Sequence, residues 1–123
     1  MEQALYPAPS KEIAQQRKEL APELYAAFQA FSHQVFADGA LPSKTKELIA
    51  VAVAHVTQCP YCIRSHTKRA TLKGASPQEI MEAVWVAAEM RAGAAMAHSA
   101  LAIDALNQES STKPQQQAAA PAR

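Results

Sequence analysis

Apolar residues recur along this chain at intervals of three and four, and no stretch alternates apolar with polar positions in the manner of a strand. Leu24, Tyr25, Phe28, Phe31, Val35 and Phe36 form one helical stripe, and Leu48, Ile49, Ala52, Val53 and Val56 form another. Ser10 is placed as the N-cap of a helix over Lys11 to Leu20, and Pro22 suits the first turn of a second running to about Ala37. Asp38-Gly39 and Pro42 stop that helix, and Ser43 caps the third. The run Thr57-Gln58-Cys59-Pro60 breaks the third helix, because proline disfavours the helical conformation at the residue before it and fits the first turn of a new helix. A fourth helix then runs from about Pro60 to Lys73 and ends at Gly74. Ser76-Pro77-Gln78-Glu79 opens the fifth as a capping box with proline at its first position. The pattern predicts an all-α protein, a compact helical bundle of about five to six helices.

The fifth helix changes that picture. Ile80, Met81, Val84, Trp85 and Val86 leave its start apolar on nearly all sides, and its many alanines let helix backbones approach closely. One small bundle cannot bury that circumference, so assembly into a homo-oligomer is expected. Glu82, Glu89, Arg91, His98 and Asp104 interrupt the segment from Ile80 to Leu106, which rules it out as a membrane span. From Gln108 the sequence is polar and low in complexity, which predicts a single domain over 1–107 and a disordered tail over 108–123.

Composition and charge narrow the classes of function. The chain is 123 residues long and 49% hydrophobic, enough for one domain, and its net charge of +1 gives no reason to expect nucleic acid or a membrane surface as partner. Two cysteines are too few for the disulfide framework of a small secreted protein, and Met1 to Ser10 has neither a basic n-region nor an apolar h-region. A cytoplasmic protein is expected.

The chemistry is concentrated between Glu47 and His66, where both cysteines lie. Cys59 and Cys62 form C-P-Y-C at a helix start, on one face and close enough to close a small disulfide ring, where the helix N-terminus favours thiolate over thiol. His66, four residues after Cys62, shares their stripe and is placed to exchange a proton with a thiol. Other readings remain open. C-x-x-C-x-x-x-H offers three zinc ligands, with Glu47 or His55 as the fourth. The cysteines also fit a structural disulfide or a pair of small apolar side chains. Glu47, just after Lys44 and Lys46 in the helix, also fits an ordinary solvated residue. His55, one turn before the C-P-Y-C, is a candidate to line the site and equally a hydrogen-bonded core residue. Tyr61 packs at a subunit contact or donates to a substrate. Arg64, Lys68 and Arg69 read as a solvated face that is also able to attract an acidic redox partner. His33 and His98 carry no functional reading.

Glu47, then Cys59-Pro-Tyr-Cys62, then His66, in an all-helical chain followed by the helix start at Gly74 to Glu79, resembles the alkylhydroperoxidase D-like branch of the carboxymuconolactone decarboxylase superfamily over about residues 20 to 107. The resemblance implies a thiol-dependent peroxidase or disulfide reductase acting on a hydroperoxide. Cys62 would be the attacking thiolate, Cys59 the resolving thiol, His66 the proton shuttle and Glu47 its distal base. It also implies trimers or hexamers, no cofactor, and a thioredoxin-like or dihydrolipoamide-linked reductant. The chain departs from the best-studied peroxidases of that family in carrying Tyr61 where they have a histidine, and in having one copy of the helical unit where they have two. The decarboxylases that name the superfamily generally lack the cysteine pair. The remaining alternatives are a non-catalytic oligomeric redox sensor or scaffold and a lactone decarboxylase-like enzyme.

Overall fold

The computed structural model describes residues 5–112, which form five α-helices: α1 (Lys11–Leu20), α2 (Pro22–Phe36), α3 (Ser43–Thr57), α4 (Pro60–Leu72) and α5 (Pro77–Thr112). Most boundaries have a local cause in the sequence. Ser10 Oγ accepts the Ile13 N–H at 3.1 Å and so caps α1. The capping box of α5 is reciprocal: Glu79 N–H donates to Ser76 Oγ at 3.1 Å, and Ser76 N–H donates to Glu79 Oε1 at 3.0 Å. The other Glu79 oxygen pairs with Lys44 Nζ at 2.9 Å and ties the start of α3 to that of α5. Gly74, at φ 95°, turns the chain between α4 and α5 in a conformation that side chains resist.

The third helix starts differently from the expectation. Ser43 is its first helical residue rather than its cap, and its N–H donates to Asp38 Oδ1 at 2.7 Å, so the cap comes from a carboxylate five residues upstream. Burial of Ser43 explains why an acceptor is required there, since an unpaired buried N–H is costly.

Helix α3 is the spine. It packs along both α4 and α5, whereas α2 touches it briefly and α1 touches only α2. The core is small: Val51 and Ala70, both fully buried, meet Ala75, with Leu48, Ile80, Ala83 and Val84 packed around them. Small residues at this contact let α3, α4 and α5 approach closely. That closeness brings the facing side chains of α3 and α4 within hydrogen-bonding reach.

Helix α5 has 36 residues, a length of about 54 Å at 1.5 Å per residue. It continues through Gln108 to Thr112, beyond the point where the polar composition predicts a disordered tail. Its last turns are solvated helix, with Gln108 Nε2 donating to Asp104 Oδ2 at 2.8 Å and Thr112 Oγ1 to Gln108 O at 3.1 Å. The rest of the expected tail lies outside the described residues. Ala87 is the only buried residue of α5, and Trp85, Met90, Met96, Leu101 and Leu106 are exposed along it. Among the described residues no helix is long and apolar enough to cross a membrane.

Candidate active site at the junction of α3 and α4

Two residues turn the chain between α3 and α4. Gln58 is left-handed (φ 59°, ψ 44°) and Cys59 is extended (φ −97°, ψ 106°), after which Pro60 begins α4. The break is as the proline predicts, and it folds α4 back along α3. Glu47 and His66, nineteen positions apart, meet as a result: His66 Nδ1 lies 2.7 Å from Glu47 Oε2. Glu47 is 3% exposed, so its carboxylate needs a partner, and His66 supplies it. A carboxylate only accepts, so Nδ1–H is the donor and Nε2 is the ring's free nitrogen. The solvated alternative for Glu47 is thereby corrected, because the residue faces α4 instead of water.

The two sulfurs are 2.9 Å apart and reduced. Cys59 is the N-cap of α4, and its sulfur accepts the Cys62 N–H at 3.3 Å. Its thiol is held below the ordinary cysteine value, first by the sulfur–sulfur contact with Cys62 and then by the Cys62 N–H, against an opposing effect of burial, with a smaller contribution from the Tyr61 N–H. Cys62 is pushed the other way, by that same sulfur contact, by burial and by the charge on Cys59. Of the two thiols Cys59 is therefore the easier to ionise and Cys62 the harder, and the pair loses its protons in two coupled steps. Thiolate absorbance against pH is expected to rise in two separated steps, the first below and the second above the midpoint of an ordinary cysteine. Cys62→Ala removes the sulfur contact that lowers Cys59 most and should move the first step up; a midpoint that stays put would assign the lowering to the helix start alone.

Two recesses flank the site. Cys62 and His66 share an open apolar groove of about 430 Å³ with Val35, Ile49, Val53 and Thr57. Glu47 instead borders a polar recess of about 500 Å³ with His33, Ser43, Arg69 and Lys73. Phe36 lines both, and its ring stacks on His66 at 5.1 Å between centroids and 26° between planes. Sequence reading assigned Phe36 to an ordinary apolar stripe, and nothing in its spacing signals contact with a histidine thirty positions away.

The remaining candidates fall outside the groove. His55 Nδ1–H donates to Val51 O at 2.7 Å, one turn back on its own helix, and the ring lines neither recess, which corrects its reading as a site-lining residue. Tyr61 faces the N-terminal segment: its hydroxyl donates to Pro7 O at 2.7 Å and its ring meets Tyr6 edge-on at 5.9 Å. Only its backbone N–H serves the thiols. Arg64 and Lys68 are exposed, as is Arg69 in the lining of the polar recess. Among the described residues no three His, Cys, Asp or Glu side chains converge as ligands of one ion, so the zinc reading finds no cluster.

The fold and these residues define an all-α protein with two adjacent cysteines beside a buried carboxylate–imidazole pair. The chain belongs to the carboxymuconolactone decarboxylase family, whose model matches residues 22–105. It is 63% identical over 82 residues to uncharacterized protein 4 in the cox locus of Paracoccus denitrificans, covering 67% of this chain and 74% of that one. It is 39% identical over 89 residues to an uncharacterized protein of Cupriavidus necator, covering 70% and 79% respectively. A crystal structure of a carboxymuconolactone decarboxylase family protein from Legionella pneumophila, in its apo form, superposes with a TM-score of 0.61 at 37% identity, covering 79% of this chain and 86% of that one. A second, from Thermotoga maritima, superposes with a TM-score of 0.53 at 29% identity over 72% of this chain and 95% of that one; its description suggests involvement in an antioxidative response.

Proposed function

We propose that the chain is a thiol-dependent peroxidase that reduces a hydroperoxide with Cys59 and Cys62. The observation that carries this reading is the sulfur pair at 2.9 Å, whose Cys62 member shares a groove with a histidine held through Nδ1 by a buried carboxylate. The antioxidative description of the Thermotoga maritima relative points the same way.

The steps follow from the placement of Cys62 and His66 on the groove. Cys62 is the harder thiol to ionise, and His66 Nε2 takes its proton as the peroxide arrives. Glu47 stabilises the imidazolium so formed and keeps the ring in register. The Cys62 thiolate attacks the outer peroxide oxygen, the O–O bond breaks, and the leaving alkoxide takes the proton back from His66 as the alcohol departs. Cys62 is now a sulfenic acid. Cys59, reacting as a thiolate, displaces its hydroxide to form the disulfide, and one proton from outside completes a water molecule. An external dithiol, thioredoxin-like or dihydrolipoamide-linked, then reduces the disulfide by exchange. The resemblance gives the attack to Cys62 and the resolution to Cys59. Ionisation alone would favour Cys59 as the attacker, since it is the easier thiol to ionise; what supports Cys62 is that it lines the groove while Cys59 does not.

Oligomerisation belongs to the same proposal. Trp85 is 68% exposed and Met96 is 73% exposed on a helix with one buried residue, and a trimer or hexamer would cover such a surface. Lactone decarboxylation has no use for a dithiol, and a redox sensor would oxidise without turning over. The test is consumption of hydrogen peroxide and of an organic hydroperoxide by the purified protein with a dithiol recycling system. Turnover beyond one peroxide per chain is expected; reversible oxidation that stops at one equivalent would favour the sensor.

A further inference from the structure

Glu47 separates two environments. One side of the carboxylate meets His66, which lines the apolar groove with Cys62; the other side borders the polar recess, with no His66 in its lining. Phe36 stands in the wall between them, stacked on the imidazole. Whenever one of the two thiols reacts from its thiolate form, oxidation to the disulfide by a hydroperoxide takes up a proton from outside the pair, and re-reduction by a dithiol returns it. Substrate in the apolar groove stands between His66 and water on that side, whereas the polar recess stays open to water throughout the cycle. We propose that the polar recess is the port through which the Glu47–His66 pair exchanges protons with solvent, with Arg69 and Lys73 as positioning residues that draw and orient water or a small carboxylate against Glu47.

The charges around the recess support this. Arg69 in the last turn of α4 and Lys73, the residue that caps its end, are exposed in the lining, and neither is in an ion pair among the described residues. His33 of α2 faces it too. The second acid in the lining, Asp38, is occupied by the Ser43 N–H. Lys46 of α3 lies on the groove side and donates to Ala37 O at 2.6 Å. The lining of the recess thus combines exposed cations with the buried Glu47, which favours entry of small anions. Thiol chemistry requires no such recess, but a relay that must reach water without opening the substrate groove does.

This inference rests on the relay in the peroxidase reading, and alkylation of Cys62 by iodoacetamide in a Cys59→Ser background measures that relay without any peroxide. Glu47→Ala in this background is expected to slow alkylation at neutral pH by about tenfold or more. Added formate should restore the rate with saturation, because the recess admits it to the vacated carboxylate position. Removing both cations (Arg69→Ala with Lys73→Ala) should raise the half-saturating formate concentration severalfold, while Arg69→Lys retains rescue. Should Glu47→Ala misfold, reversing the cations (Arg69→Glu with Lys73→Glu) with Glu47 intact is expected to slow alkylation about threefold at low salt and to shift its pH profile, both effects shrinking as salt rises. Slow alkylation without formate rescue, rescue indifferent to Arg69 and Lys73, or charge reversal without effect would each overturn the port and leave the relay standing. Alkylation unaffected by Glu47→Ala would overturn the relay and the port together.

Discussion

Cys62→Ser is expected to reduce peroxide consumption to the uncatalysed rate, whereas Cys59→Ser should consume one equivalent and then stop. A serine hydroxyl is not ionised near neutral pH and does not attack the O–O bond, so loss of the attacking sulfur removes the reaction and not merely its rate. With Cys59 replaced, the sulfenic acid on Cys62 has no neighbouring thiolate to condense with and persists. Trapping with a carbon nucleophile and weighing the intact chain distinguishes the outcomes. The adduct should appear on Cys59→Ser alone. An adduct on Cys62→Ser instead would transfer the attack to Cys59, the thiol that is easier to ionise.

His66→Ala should be the more destabilising change at the buried pair, and the double variant should recover part of the loss. Removing the imidazole leaves the Glu47 carboxylate buried at 3% exposure without its partner, a change that costs about 3–5 kcal/mol in comparable pairs. Glu47→Gln keeps an oxygen to accept from Nδ1 and should cost less. Combining His66→Ala with Glu47→Gln removes the stranded charge, so urea unfolding should place the double variant above His66→Ala alone. In activity the order differs. His66→Ala and Glu47→Gln should each slow peroxide reduction, by about a hundredfold for the histidine, and the double variant should be little worse than His66→Ala, because Glu47 acts through the ring. Additive losses in rate, or no recovery of stability, would separate the two side chains into unrelated roles.

The starts of α1, α2, α4 and α5 and the break between α3 and α4 were legible because their causes are local. Ser10, Pro60 and the Ser76–Glu79 box act within a turn of themselves. The spacing of Cys62 and His66 on one stripe was legible for the same reason. Glu47 was not: nineteen residues and a reversal of the chain separate it from His66, and only the resemblance supplied it as a partner. The opposite shifts of the two cysteines were hidden because both sit at the same helix start, and a contact between their sulfurs, which no spacing reveals, lowers one and raises the other. His55 looked like a site residue by proximity in sequence, yet it faces its own helix. The end of α5 was misread because polar composition suits a solvated helix as well as a tail.

The sulfur of Cys59 is both reactant and helix cap, so the backbone of α4 shares in the redox equilibrium. As a thiolate it accepts the Cys62 N–H at 3.3 Å; as half of a disulfide it is a neutral sulfur and a far poorer acceptor. Losing a cap costs a helix on the order of 1 kcal/mol, and here the cost falls on the oxidised form alone. For a two-electron couple that amounts to roughly 20 mV, in the direction that makes the disulfide the stronger oxidant. The reduction potential of the pair is therefore set partly by a main-chain hydrogen bond, and an equilibrium with glutathione would report how firmly α4 begins.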